Sequence, residues 1–197
     1  MLRYRAGIDI GSTTVKLVVL DKQGNIIFSD YRRHRAHTQE TMAELLRDAS
    51  RITGQCELQA GITGSGSINL GKALGIKFVQ EVVAVATALQ STAPQTDVAI
   101  ELGGEDAKII YFTGGLEERM NGVCAGGTGS FIDQMATLLK MGADEMDAAA
   151  QRAEKTYTIA SRCGVFAKSD IQPLINQGAA AGDIAASIYG AVVNQTI

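Results

Sequence analysis

The sequence has few cysteines, few prolines and no apolar run long enough to cross a bilayer. Only three of its 197 residues are cysteines, an odd number that does not predict a set of disulfides. The apolar run VVAVATAL at 82–89 is much shorter than the roughly 20 residues that a membrane-spanning helix needs. The first residues also lack the apolar core and cleavage site of a signal peptide. We therefore expect a soluble, cytoplasmic protein with no membrane partner.

The sequence also lacks a large excess of charge of one sign. Its formal net charge is -3 at pH 7, which argues against nucleic acid as a main partner. Glycine, in contrast, is abundant, with 22 residues against two prolines. Because low-complexity tracts are absent, these glycines predict tight turns that approach a ligand rather than disorder.

The order of periodic segments predicts an α/β protein with two related lobes. Predicted strands lie at 4–10, 14–21, 26–33, 57–63, 96–102, 105–112 and 116–121. Predicted helices lie at 38–51, across most of 66–92, and at 128–139, 144–152, 170–177 and 181–195. Thr38 is the expected cap of the first helix. A three-strand meander recurs, and we assign residues 1–65 to the first lobe and residues 66–197 to the second.

A carboxylate followed by a glycine turn forms the first candidate site, in GIDIGSTTVKLVVLD at 7–21. Asp9 ends the first predicted strand. Four residues with backbone or hydroxyl donors for a phosphate follow it: Gly11, Ser12, Thr13 and Thr14. Asp9 suits magnesium held through water, and Lys16 either neutralises phosphate charge or faces solvent. A plain hairpin turn explains a single match of this kind equally well.

A second stretch, ELGGEDAKIIYF at 101–112, repeats this arrangement. Glu101 lies at a strand end, and Gly103, Gly104 and Glu105 precede another strand. A β-hairpin with structural glycines is the alternative for this stretch alone. Together, the two hairpins resemble the phosphate motifs of the actin, sugar-kinase and heat-shock-chaperone ATPase superfamily. That resemblance implies two ribonuclease-H-like lobes that bind ATP and Mg2+.

Two cysteines lie beside glycine-rich sequence, each shortly before a predicted helix. Cys124 begins CAGGTGSFIDQMATLL, and Cys163 lies in ASRCGVFAKSDIQPL. The positive end of a helix dipole favours thiolate and would suit an anionic iron–sulfur cluster. Their separation gives no C-x-x-C pattern, so two small buried thiols are the alternative at this point.

Four motifs in order resemble the activator ATPases of 2-hydroxyacyl-CoA dehydratases and their benzoyl-CoA reductase relatives. They are ITGSGS, ELGGEDAK, MNGVCAGGTGSFIDQMA and SRCGVFAKSDIQ, and the resemblance covers almost the whole chain. It implies that Cys124 and Cys163 bind one 4Fe-4S cluster shared by the two subunits of a homodimer. Cys56 lies outside these motifs. The resemblance also assigns residues around the cluster and phosphate, namely Gly126, Gly127, Thr128 and Gly129.

The resemblance implies an ATP-hydrolysing enzyme that transfers electrons. ATP binding and hydrolysis would change the angle between the lobes and the geometry of the cluster-bearing helices. A low-potential electron would then pass to a dehydratase or reductase component. A ferredoxin or flavodoxin is the implied electron donor, and anaerobic metabolism the implied setting. ELGGEDAK with GSGS at 64–67 most resembles activator modules of very large fused proteins, where the acceptor lies on the same polypeptide.

The sequence departs from the family pattern in two respects. Compact members carry Asp and Gln where this chain has Glu101 and Glu105. Glu101 keeps a carboxylate that can orient water, whereas Glu105 replaces an amide donor with a charge. The family's later glycine-rich loop for adenosine is absent up to residue 197. We therefore expect a second lobe that is truncated at its C-terminus.

Two other functions fit parts of the sequence. A small-molecule kinase of the same superfamily, such as a sugar kinase, would use the phosphate loops without needing Cys124 and Cys163. A non-catalytic ATP-binding module of a fused protein would bind nucleotide without turnover. The basic stretch YRRHRAH at 31–37 is interpreted as a solvated strand end. Its His34 and His37 lack the carboxylate or cysteine neighbours of a metal site.

Overall fold

The computed structural model describes residues 2–121, 127–161 and 163–197. Contacts between Cα atoms divide the chain into two compact units, Met1–Thr96 and Asp97–Ile197. This division lies later in the chain than the predicted lobe boundary after residue 65. The assignment of residues 1–65 and 66–197 to two ribonuclease-H-like lobes stays a prediction, because compactness alone does not define a lobe.

The first unit is built on one five-stranded sheet. Its strands are β1 (Arg3–Ile10), β2 (Thr14–Leu20), β3 (Ile26–Arg33), β4 (Glu57–Thr63) and β5 (Lys77–Phe78). Their order is β3-β2-β1-β4-β5, with β1 antiparallel to β2 and parallel to β4. Alternate residues of β1 and β2 form the buried face: Ile8, Ile10, Val15, Leu17 and Val19. The parallel pairing makes Asp9 and Thr63 register partners at the ends of neighbouring strands.

Three helices complete the first unit: α1 (Thr38–Thr53), α2 (Ile68–Leu74) and α3 (Glu81–Thr92). α1 contacts β2 and β3 and buries Leu45 in the core. The prediction that Thr38 caps this helix is wrong, because His37 is the N-cap residue and makes no capping side-chain hydrogen bond. The Thr41 hydroxyl donates to the His37 carbonyl, which also accepts the backbone N–H of Thr41.

The described residues of the second unit form a three-stranded antiparallel sheet and four helices. The strands, in spatial order, are β6 (Val98–Leu102), β7 (Ala107–Tyr111) and β8 (Glu117–Asn121). The helices are α4 (Gly129–Leu138), α5 (Ala143–Ala150), α6 (Gly164–Asn176) and α7 (Ala181–Thr196). One apolar core includes Phe131, Met135, Met146, Ile171 and Ile188. Among the described residues of both units, no helix has the length and apolar character needed to cross a lipid bilayer.

α6 begins earlier than the sequence pattern predicts. The predicted helix covers 170–177, whereas α6 covers Gly164–Asn176. Ala167 and Ile171 lie one helical turn apart and both are fully buried. Packing of this face against the core therefore extends the helix toward its N-terminus. Cys163 is consequently the N-cap residue of α6.

The segment before Cys163, residues 153–161, is held by side chains of neighbouring helices. The buried Asp183 of α7 accepts hydrogen bonds from two backbone N–H groups, at 2.9 and 3.3 Å. The buried Ser187, one turn later, accepts a third at 2.7 Å. The three donors, in chain order, are Glu154, Lys155 and Tyr157. α7 thus fixes the path of the chain that leads to Cys163.

Candidate functional site

The first predicted phosphate loop is the tight turn between β1 and β2. The N–H of Gly11 donates to the carbonyl of Thr14 at 2.9 Å and closes the turn. Gly11, Ser12 and Thr13 are half-buried, whereas Thr14 is buried. The first three residues therefore form the accessible surface of the loop, and Thr14 packs at its base.

The carboxylate of Asp9 lies at the base of this loop. Asp9 and Lys16 are register partners in the antiparallel ladder, and Lys16 Nζ lies 2.6 Å from Asp9 Oδ2. The same ammonium group lies 5.7 Å from the ring centre of Tyr31 in β3. Lys16 is therefore an ion-pair partner of Asp9, a contact that the sequence did not predict.

The loop after β4 packs directly against Asp9. Gly64 has φ +94°, and a Cβ atom there would clash with the Ile10 carbonyl oxygen and with Asp9 Oδ1. The N–H of Gly66 donates to the same Ile10 carbonyl at 2.9 Å. On the neighbouring strand, the buried Thr63 hydroxyl makes no hydrogen bond within the described part of the chain. The motif ITGSGS thus brings a close backbone approach and a buried oxygen to the Asp9 end of the sheet.

His34 is a functional candidate that sequence reasoning missed. Its Nε2 lies 3.3 Å from the Gly11 carbonyl, and its backbone N–H donates to the Thr13 carbonyl at 3.1 Å. Nδ1 accepts a hydrogen bond from Ala36 N–H, so the ring proton lies on Nε2 and points to Gly11. Arg35 and Ala36 have positive φ, 46° and 69°, in the same turn. The interpretation of 31–37 as a solvated strand end is therefore wrong for His34, which contacts phosphate loop 1 through its ring and its backbone.

Exchange of His34 for asparagine is expected to weaken nucleotide binding, whereas exchange for glutamine is not. The glutamine amide nitrogen lies at the distance of Nε2 and can donate to Gly11. Asparagine can still accept from Ala36 but is too short to reach Gly11. Loss of one hydrogen bond of about 1 kcal/mol would make the binding shape of the loop less favourable and raise the dissociation constant by up to about fivefold. Calorimetric titration with ADP measures this difference, and equal affinities for both variants would contradict it.

The second predicted phosphate loop is the turn between β6 and β7. The N–H of Gly103 donates to the Asp106 carbonyl at 2.8 Å. A Cβ atom on Gly103 would clash with the Asp106 carboxylate, so this position requires glycine. Asp106 Oδ2 lies 3.2 Å from Nζ of the buried Lys108, which is the register partner of Glu101. The base of this loop therefore also carries a paired carboxylate and ammonium group.

The three acidic residues near this turn lie in different environments. Glu101 is half-buried in β6, whereas Glu105 is exposed in the turn next to the half-buried Gly104. The catalytic role of Glu105 stays a prediction, but sequence reasoning missed Asp106, whose carboxylate folds back onto the loop. The spacing of two between Asp106 and Lys108, typical of one face of an extended strand, would have indicated this pair.

The glycine-rich segment before α4 packs against two other parts of the second unit. Thr128 is fully buried and caps α4, since its hydroxyl accepts from Phe131 N–H at 3.4 Å. Gly127 has φ +86°, and a Cβ atom there would lie 2.7 Å from Cγ of Gln195 in α7. The N–H of Gly129 donates to the Gly103 carbonyl at 2.8 Å. The structure thus joins phosphate loop 2 to the start of α4.

Cys163 lies at the start of α6, near the backbone N–H groups of Val165 and Phe166. The N–H of Phe166, and then that of Val165, lowers the pKa of Cys163, and partial burial opposes them. The Cys163 side chain makes no capping hydrogen bond with these N–H groups. They lower its pKa through their positive partial charges. The half-buried thiol is therefore set up to ionise, as a metal ligand or nucleophile requires.

The other predicted ligands have different outcomes. Cys124 and Gly126 lie outside the described residues. Cys56 is a half-buried free thiol in the first unit. In residues 2–121, 127–161 and 163–197, no group of three or more His, Cys, Asp or Glu side chains is arranged to hold a metal ion.

Alkylation of Cys163 is expected to reach its half-maximal rate at a lower pH in the folded, metal-free chain than in urea. The folded pKa is lowered, so the thiolate persists as pH falls below the unfolded pKa and is lost only through the folded pKa. Iodoacetamide labelling with mass spectrometry of the peptide gives both midpoints. A Cys56→Ser background removes the competing thiol, and coincident midpoints would contradict the prediction.

Three comparisons place the chain among known proteins. It is 29% identical over 197 residues to the 2-hydroxyisocaproyl-CoA dehydratase activator of Clostridioides difficile, covering 98% of this chain and 73% of that protein. It is 28% identical over 199 residues to the (R)-2-hydroxyglutaryl-CoA dehydratase activating ATPase of Acidaminococcus fermentans, covering 98% and 76%. The solved C. difficile activator with bound ADPNP matches with a TM-score of 0.89 at 30% identity, over 98% of this chain and 73% of that one.

These similarities confirm the predicted α/β fold of the actin and sugar-kinase type. They also confirm the resemblance to activator ATPases that the four motifs predicted. The model of the BadF/BadG/BcrA/BcrD ATPase family matches residues 6–197. The match includes both phosphate loops and both motif cysteines. The chain therefore belongs to the BadF/BadG/BcrA/BcrD ATPase family.

Proposed function

We propose that this chain is an ATP-dependent activator that transfers a low-potential electron from a 4Fe-4S cluster to a 2-hydroxyacyl-CoA dehydratase or a related reductase. One observation carries the proposal: the thiol of Cys163 lies at the N-terminus of α6 in a member of an ATPase family. Two similar proteins are named as activators of such dehydratases. A small-molecule kinase would have no use for an ionisable thiol in this position.

The groups at the first loop suit a nucleotide with hydrated magnesium. Ser12 and Thr13 would bind phosphate oxygens through backbone N–H and hydroxyl groups, while Gly11 closes the turn that presents them. The Asp9 carboxylate and the buried Thr63 hydroxyl at the adjacent register position offer the oxygen ligands that Mg2+ prefers, directly or through water. Lys16, which pairs with Asp9, would limit the negative charge at this end of the sheet.

The second loop would bind nucleotide phosphates through the N–H of Gly104, while Gly103 holds the turn in shape through its bond to Asp106. The Glu101 carboxylate would orient the attacking water or a water on magnesium. Glu105 adds a negative charge near the phosphates, where an amide would donate a hydrogen bond. The Asp106 carboxylate would stay with Lys108 and hold the turn in shape.

The surroundings of Cys163 suit a ligand of an iron–sulfur cluster. The N–H groups of Val165 and Phe166 favour its thiolate, and the helix dipole favours the net negative charge of a thiolate-bound cluster. Cys124 would supply a second thiolate, and a two-fold axis in a homodimer would supply two more. Gly126 and Gly127 would allow close approach of the chain, with Thr128 fixing the start of α4. The cluster would supply one-electron redox chemistry.

The proposed cycle uses nucleotide binding to bias two conformations of the activator. ATP and ADP would differ in their affinity for these conformations, which sets how far one nucleotide can shift the equilibrium. A ferredoxin or flavodoxin would reduce the cluster, and the dehydratase or reductase component would accept the electron. That component would be a separate protein or part of the same natural polypeptide, in anaerobic metabolism. We propose that the protein is located in the cytoplasm and that it has no nucleic acid or membrane partner.

Anaerobic reconstitution of the chain with iron and sulfide tests this function. A shared cluster gives about two iron and two sulfide per chain, and a sedimentation coefficient that matches a dimer. Addition of a dye of low potential and ATP should then give ATP-dependent electron transfer. A colourless protein that phosphorylates a small sugar would support the kinase instead. Binding of ATP without turnover or iron would support the non-catalytic module.

A further inference from the structure

Phosphate loop 2 is joined to α4 by a close backbone contact at Gly129, where an added Cβ atom would be tight. The Gly103 carbonyl accepts from the N–H of Gly129 at 2.8 Å, while the Gly103 N–H donates to Asp106 within the turn. A Cβ atom on Gly129 would lie 3.1 Å from the Gly103 carbonyl oxygen and 3.2 Å from that of Leu102. Both peptide groups of Gly103 are therefore engaged, one with the loop and one with the helix. A change in the turn must move or break its bond to α4.

The first turn of α4 shares a buried core with α6, because Phe131 and Ala167 belong to one cluster. Thr128 caps the N–H of Phe131, and the Phe131 side chain is buried. A Cβ atom on Gly164, the first residue of α6, would lie 3.5 Å from Cδ2 of this ring, an ordinary van der Waals distance. Gly164 directly follows Cys163. A hydrogen bond from phosphate loop 2 to α4, and the core that α4 and α6 share, thus link the loop to the helix that begins beside the thiol.

We infer that Gly129 and Phe131 are the positioning residues that couple the nucleotide at loop 2 to the segment that carries Cys163. The inference rests on the proposed function and names how its two sites communicate. A shift of the Gly103 carbonyl would move Gly129 and with it the start of α4. A shift of α4 would move the Phe131 ring and with it α6. Packed side chains and short backbone contacts move together because interiors are dense and yield little. The coupling is a free energy that works in both directions between the sites.

Nucleotide affinity of the full chain with and without its cluster measures this coupling. In the wild-type protein, reconstitution should change the dissociation constant of a non-hydrolysable ATP analogue, relative to ADP, at least about fivefold. In Gly129→Ala, the new methyl group displaces the Gly103 carbonyl, and this ratio should fall toward one. Gly190→Ala is the matched control, because Gly190 lies in α7 with no atom within 4 Å of an added Cβ. It should keep the wild-type ratio.

Hydrogen exchange of the amides at the start of α6 gives a second readout. In the wild-type chain, replacing ADP by the ATP analogue should change the exchange of Val165 and Phe166. Phe131→Leu keeps an apolar side chain in the core but removes the ring next to Gly164. This variant should bind both nucleotides as the wild type does and lose at least about half of the exchange difference.

The outcomes distinguish a failure of the proposed function from a failure of the inferred coupling. A wild-type chain that binds no cluster through Cys163 would overturn the proposed function itself. A wild-type chain with a nucleotide-responsive cluster, together with unchanged coupling in Gly129→Ala and Phe131→Leu, would overturn only the inference. If Gly129→Ala does not fold, the exchange experiment on wild type and Phe131→Leu decides the inference alone.

Discussion

Exchange of Cys163 for serine is expected to remove essentially all iron from the anaerobically reconstituted protein. A serine hydroxyl is a harder and far less acidic ligand than a thiol, so the N–H groups at the start of α6 do not turn it into a substitute. In a symmetric dimer the single substitution also removes two of the four ligands at once. The iron and sulfide content should therefore fall from about two of each per chain to near zero.

The control for this experiment is already present in the chain. Cys56 is half-buried in the first unit and lies outside the cysteine motifs. Cys56→Ser should keep the full iron content and the visible absorption of the cluster. Circular dichroism should show both variants to be folded, since Cys163 is only half-buried. Equal iron in the wild type and in Cys163→Ser would exclude this cysteine as a ligand.

Exchange of Gly64 for alanine is expected to reduce ATP hydrolysis at least about tenfold and to destabilise the first unit by about 1–3 kcal/mol. Two physical effects combine at this position. The φ of +94° is strained for any residue with a Cβ atom, and that atom would clash with Ile10 and Asp9. The Asp9 carboxylate would have to move away from its partner Lys16, and with it the proposed magnesium ligand. Initial rates of phosphate release and thermal unfolding measure the two effects.

Gly114→Ala separates the effect of backbone strain from the effect of displacing Asp9. Gly114 has a similar φ of +82°, but no atom lies within 4 Å of an added Cβ. This variant should show the strain as a loss of stability and retain its hydrolysis rate. If both variants lose activity in proportion to stability, the contact between Gly64 and Asp9 has no specific role. A specific role for this contact requires that Gly64→Ala slows hydrolysis more than its loss of stability explains, and that Gly114→Ala does not.

The strands of both units were predictable because their side chains alternate. Val15, Leu17 and Val19 of β2 are buried and share one face, and their β-branched and apolar pattern has the period of a strand. The two glycine turns were equally predictable, since each separates a carboxylate from a following strand. The local pattern therefore predicts the strands and turns that carry Asp9 and Glu101.

The missed features all depend on contacts between distant parts of the chain. The bond of His34 to Gly11 joins residues 23 positions apart, and no local pattern encodes it. β5 pairs over only two residues and has no periodicity to detect. The early start of α6 depends on burial of Ala167 in a core formed by other helices. In each case tertiary packing outweighs local propensity.

Residues 153–161 can attach to α7 only late in folding. The hydrogen bonds to Asp183 and Ser187 join residues 28 to 30 positions apart. Contacts of such separation form only after the intervening chain has closed into a loop. During synthesis, the segment before Cys163 must therefore wait until α7 has emerged from the ribosome. Iron delivered earlier would meet a thiol whose environment is still unfolded.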